Sequence, residues 1–249
     1  MPVASDAGGG RAATRGPRPL SGACIAPGLL LLLALAACSS GRRDIEDGRT
    51  FERYRNPAGL LNAQARLPEG CEAWSRVIEL ASFTQPVEGP GACGIAAPLQ
   101  VFVLGRERPV SLDRPASLDC RFAQTLGAFV DGPLQDIAEE RLESRVVAFG
   151  WSGAYACRTR NSEPGARLSQ HALGLAFDLH SLRLADGRVL TVEEGWDGDS
   201  DESAFWQDLH AAACGPFNTV LGPEANRQHA DHLHLDVVEA RSGKRPYCR

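Results

Sequence analysis

Two short stretches hold four of the chain's six histidines: Ser169-Gln170-His171-Ala172-Leu173-Gly174-Leu175-Ala176-Phe177-Asp178 and His229-Ala230-Asp231-His232-Leu233-His234-Leu235-Asp236. Imidazole and carboxylate gathered this way are the donors of a transition-metal site with nitrogen and oxygen ligands. Any fold that uses them as one site must bring together segments that are far apart in sequence. The second stretch also dictates its own local structure. Strict alternation puts His232, His234 and Asp236 on one face of a strand and Leu233, Leu235 and Val237 on the other. One imidazole of the pair can then reach a metal while the other lies beside it. In the first stretch Gly174 and Ala176 are small, as expected where the backbone passes close to another layer. Asp178 and His180 form a further pair on one face.

Six cysteines remain once Cys24 and Cys38 near the N-terminus are set apart: Cys71, Cys93, Cys120, Cys157, Cys214 and Cys248. An even number in an exported domain implies a disulfide framework, with roughly 15 possible connectivities for six cysteines. None belongs to a C-x-x-C pair, which disfavours a thiolate zinc cluster. The expected pairing is Cys71 with Cys93, on closeness in sequence alone. Export itself is read from the N-terminus. Arg11, Arg15 and Arg18 precede an unbroken Leu/Ala run from Leu29 to Ala37. That run is too short for a spanning helix, which needs roughly 20 apolar residues, and it has the layout of a secretory signal. Leu35-Ala36-Ala37-Cys38 resembles a bacterial lipobox, which implies cleavage before Cys38 and its acylation. Ser39 follows, and the sorting rule of enteric bacteria then implies the outer membrane, facing the periplasm.

The expected organisation is a lipoprotein signal peptide over 1–37, a lipidated Cys38 with a flexible tether over 38–60, and one folded domain over 61–249. Hydrophobic residues at 43% and charged residues at 23% suit a globular domain with a sizeable core. The net charge of −5 argues against a nucleic-acid partner, because phosphate neutralisation needs a basic face. Apolar runs predict strands over Leu99–Leu104 and Val146–Trp151. Ser117 is expected to open a helix with Phe122, Leu126 and Phe129 inward, divided at Pro133 from a second helix ending near Leu142. A hairpin strand is predicted over Arg188–Val192 after an Asp-Gly turn, a helix over Glu202–Cys214, and final strands over Phe217–Leu221 and His232–Val238. The class is α+β: a small antiparallel sheet carrying the site, flanking helices and disulfide stabilisation.

The pattern S-x-H-x-x-G-x-A-x-D followed by H-x-H resembles the LAS metallopeptidases, which include lysostaphin-type enzymes, D-alanyl-D-alanine peptidases and the hedgehog signalling domain. The resemblance implies one zinc ion held by His171, Asp178 and His234, with His232 assisting the water. The spacing H-x-x-H-x-H is similar to that of penicillin-insensitive murein endopeptidases and places His229 in the site wall. Arg158, with Tyr155 close by, stands where related peptidases keep an arginine for the substrate or oxyanion; Arg160 competes for that role. Over roughly Leu61 to Arg249 the strings YACRTRN, RLSQHALGLAFDLHSLRLADGRVLTVEEGW, CGPFNTVLGPEANRQHADHLHLD and the terminal YCR resemble the bacterial extensin-like C-terminal family. Leu175 departs from that family, where Asn is common, at a position that is not a ligand.

Together these resemblances imply a zinc-dependent hydrolase of peptidoglycan peptides, an endo- or carboxypeptidase. Three protein ligands with an open position is the catalytic pattern. In that scheme His232 is the general base, Arg158 a stabiliser of the oxyanion, and Asp236 or Asp231 the carboxylate that orients an imidazole. The alternative is a non-catalytic zinc-containing domain that binds peptidoglycan or an envelope protein.

Overall fold

The computed structural model describes residues 70–238 and 245–249. The expected signal, the lipidated Cys38, the tether and the domain start near Leu61 lie outside those residues. Among the described residues no helix is long and apolar enough to cross a membrane.

A short helix α1 (Trp74–Val77) leads into β1 (Ile78–Phe83), followed by the small hairpin β2 (Val87–Glu88) and β3 (Gly94–Ile95). Next come β4 (Pro98–Leu104), β5 (Val110–Asp119), α2 (Cys120–Phe129), α3 (Gln135–Leu142) and β6 (Val146–Gly153). The chain continues with β7 (Ala176–Leu184), β8 (Val189–Thr191), α4 (Val192–Gly195) and α5 (Asp201–Ala213). It closes with β9 (Thr219–Leu221), β10 (Leu233–Asp236) and β11 (Tyr247–Cys248). The sheet is not small: among the described residues nine strands run in the order β1-β4-β5-β6-β7-β10-β9-β11, with β8 paired to β7. Its pairings are antiparallel except β5 with β6 and β11 with β9. The fold is therefore mixed α and β around a large, mostly antiparallel sheet. Sequence reading undersized it because β1, β5 and β7 carry polar residues inside their runs.

Local chemistry explains where the helices begin. Ser117 does not open α2; it pairs with Gln100 inside β5, and the cap is Asp119, whose carboxylate accepts the Arg121 N–H at 2.9 Å. The break expected at Pro133 is present, with Gly132 in a non-helical conformation between α2 and α3. Ser200 caps α5 by accepting the Ser203 N–H at 3.1 Å. Phe122, Leu126 and Phe129 of α2 and Phe205, Trp206 and Leu209 of α5 are buried, as their spacing predicts. They share one hydrophobic cluster with Leu233 and Leu235 of β10. At about 1.5–3 kcal/mol for each large side chain removed from water, this cluster fixes β10 with its histidine face turned away from the core.

The six cysteines do pair, but not as Cys71 with Cys93. The bridges are Cys71–Cys120, Cys93–Cys157 and Cys214–Cys248. Closeness in sequence failed as a guide because sheet pairing sets which segments meet. Cys71, just ahead of α1, meets Cys120 at the start of α2, and the β2–β3 hairpin is carried over to the segment after β6.

Candidate metal centre

His171 sits in a 3-10 turn, Gln170–Leu173, opened by Ser169 and closed by Gly174 at φ +68. That left-handed backbone suits glycine, and a side chain there would also run into Ile95 and the Asp119 amide. The turn is docked by a hydrogen bond from the Asp119 N–H to the Gly174 carbonyl at 2.8 Å. Asp178 lies on β7, directly opposite His234 on β10 and Gly153 on β6. A Cβ at Gly153 would collide with the Asp178 carboxylate and crowd the His171 ring, so the absence of a side chain makes room for the cluster.

These three buried residues converge. His171 Nε2 lies 3.1 Å from Asp178 Oδ1 and 3.2 Å from His234 Nδ1, and His234 Nδ1 lies 2.8 Å from Asp178 Oδ1. One ligand atom from each falls within 4.8 Å of the others, a group that could hold a metal ion. Each imidazole is oriented from behind. His171 Nδ1 donates to the Ala154 carbonyl at 2.6 Å, leaving Nε2 toward the centre. His234 Nε2 faces Asp236 Oδ2 at 3.2 Å, leaving Nδ1 toward the centre. A ring nitrogen fixed by a carbonyl or carboxylate is the usual support of a metal-binding histidine. Two imidazole nitrogens and one carboxylate oxygen, brought this close, fit a divalent transition metal.

The electrostatics agree with that donor set. Burial alone would raise the Asp178 pKa, but hydrogen bonds from His171 and His234 outweigh it and hold the carboxyl far below its usual range, so it is ionised. Burial would lower His234; hydrogen bonds to Asp178 and Asp236 overcome this and push it up to about 9. Burial, aided by the nearby His234 and His232, pushes His229 down to about 4, so this ring is neutral.

The centre opens into a cleft of about 480 Å³, whose walls include Arg158, Arg160, His229 and His232. His232 Nε2 stands 3.7 Å from Asp178 Oδ1, and its Nδ1 is 2.8 Å from Asp231 Oδ1. Asp236 and Asp231 thus each hold one imidazole of the second stretch. His229 Nδ1 meets Asn226 Oδ1 at 2.8 Å. Tyr155 is not in the cleft wall; its phenol oxygen lies against Gly89. His210 is elsewhere, edge-on to Trp196 and bonded to the Arg249 carbonyl. His180 shares β7 with Asp178 but is not in the three-residue group. Sequence reading missed Gly153, the Ala154 carbonyl and Asn226. Only Asn226 had a local signal, as a side chain of capping type just before His229.

Residues 69–249 match the family described as extensin-like protein C-terminus. The chain belongs to that family. All of the cluster, its supporting groups and the cleft fall within the matched extensin-like region. No curated protein and no solved structure matches the chain.

Proposed function

We propose that this extensin-like protein is a zinc-dependent hydrolase of cell-wall peptides, held in the bacterial envelope by a lipid on Cys38. The observation that carries the reading is the buried His171, Asp178 and His234 group with His232 poised 3.7 Å from Asp178 at the mouth of a cleft. Bound there, zinc would polarise a peptide carbonyl and lower the pKa of water to about 7. His171 Nε2, one Asp178 oxygen and His234 Nδ1 would hold the ion. With Nδ1–H donated to Asp231, His232 has its Nε2 lone pair free to take the proton of the attacking water and pass it to the leaving amine. Arg158 and Arg160 bring positive charge to the same cleft, where an oxyanion or a substrate carboxylate would form or rest. The substrate class, peptidoglycan peptide, follows from the expected export and from the resemblance to LAS peptidases.

The test is incubation of the zinc-loaded protein with purified peptidoglycan, with the products read by mass spectrometry. Released peptides from wild type and none from His232→Ala, at equal zinc content, support hydrolysis. Tight zinc and peptidoglycan binding without any release would establish the binding domain instead.

A further inference from the structure

His229 is tied by a side chain outside the metal cluster. Asn226 Oδ1 receives two hydrogen bonds, from the Gln228 backbone N–H at 3.0 Å and from His229 Nδ1 at 2.8 Å. A backbone N–H can only donate, so this Asn226 atom is an acceptor oxygen, and the His229 nitrogen facing it carries the proton. The lone pair of the neutral ring is therefore on Nε2, at the edge turned away from Asn226. The ring is buried in the cleft wall, with centroids 5.2 Å from His232 and 5.7 Å from His234, and it is not in the three-residue metal group.

A peptide extended along such a cleft presents N–H groups that need acceptors once water is excluded. On the hydrolase reading the nearby imidazole and carboxylate acceptors are taken: Asp178 by His171 and His234, His232 Nε2 by the attacking water, and one oxygen of Asp236 by His234. Its other oxygen is sealed from the cleft surface. Arg158 and Arg160 only donate. Resting on the hydrolase reading, we infer that His229 Nε2 accepts a backbone N–H of the bound peptide beside the cleaved bond, and that Asn226 is the positioning residue that holds the ring in this tautomer. His229 then reads the substrate rather than exchanging protons with it.

The zinc-loaded full chain, its Asn226→Leu, Asn226→Asp and His229→Phe variants, and a purified stem peptide test this. Nitrogen-15 spectra of the histidine rings report the tautomer, steady-state kinetics separate KM from kcat, and metal analysis reports zinc. Asn226→Leu is expected to lose the fixed Nδ1–H tautomer and raise KM roughly tenfold, the scale of one lost neutral hydrogen bond, with kcat and zinc unchanged. Asn226→Asp keeps an acceptor and restores both readouts. His229→Phe raises KM similarly and retains zinc. In wild type, the peptide is expected to shift the Nε2 resonance. An unmoved resonance, a fall in kcat alone, or zinc loss in His229→Phe would each overturn the inference. Should Asn226→Leu fail to fold, Asn226→Asp and His229→Phe decide it. A wild type that binds the peptide and shifts Nε2 without cleaving it would sink the hydrolase reading while leaving the recognition role standing.

Discussion

In the metal-free protein His234 keeps a proton up to a pH of about 9, because two carboxylates, Asp178 and Asp236, face its ring from either side. An incoming ion must displace that proton from Nδ1. Metal binding at pH 7.5 is therefore expected to release about one proton, and affinity should rise with pH until it levels off near 9. Calorimetry in buffers of different ionisation enthalpy measures the number released; a value near zero would rule out His234 Nδ1 as a ligand. His171 and His232 divide the site differently. His171→Ala is expected to lose both metal and turnover, whereas His232→Ala keeps full metal content and loses turnover by a factor of about 10²–10⁴, the usual scale of a missing general base. Zinc analysis beside the peptidoglycan assay separates the two.

At the scale of elements, the centre is assembled where three neighbouring strands and one turn meet. β6 contributes a gap at Gly153, β7 the carboxylate, β10 the imidazole, and the 3-10 turn His171. Gly153→Ala is expected to abolish metal binding while the sheet survives, since its methyl would occupy the space of the Asp178 carboxylate; near-normal zinc stoichiometry in that variant would refute the packing argument. The segment after β6 folds back on itself through the Thr159–Leu168 bridge and carries Arg158 and Arg160 into the cleft. Cys93–Cys157 ties its base to the β2–β3 hairpin. Replacing both cysteines by serine should destabilise the protein by about 2–4 kcal/mol and raise KM more than it lowers zinc content. Denaturant titration and kinetics of the double variant check the pair of effects.

For the whole molecule, a metal bound at this centre would act as a ligand of the folded state. At a free concentration of 1,000 times Kd it adds about 4.1 kcal/mol, or roughly 8–16 °C in Tm for a domain of this size. The pH dependence differs between the two forms. A raised His234 pKa stabilises the metal-free fold below its ordinary value of 6.5, and that contribution is lost as pH climbs toward about 9. Over the same range the metal binds more tightly. The gap in Tm between the metal-loaded and metal-free protein should thus widen from pH 6.5 to 9 in calorimetric scans; a constant gap would show that His234 is not coupled to the metal.

Much of this molecule is legible in its sequence where the information is local. Alternation in 232–237 places His234 opposite Leu235, and helical spacing buries Phe122, Leu126, Phe205 and Trp206, because backbone geometry alone sets those periodicities. The two histidine stretches likewise point to the His171, Asp178 and His234 group that could hold a metal ion, since few other uses concentrate imidazole and carboxylate so closely. The sequence could not give the size of the sheet, the disulfide partners or the groups that aim each ring. Those depend on which distant strands pair: Asp178 opposite His234, Gly153 beside Asp178, Cys93 against Cys157. Pairing between remote segments is decided by burial summed over the whole core, a quantity no short stretch of residues contains.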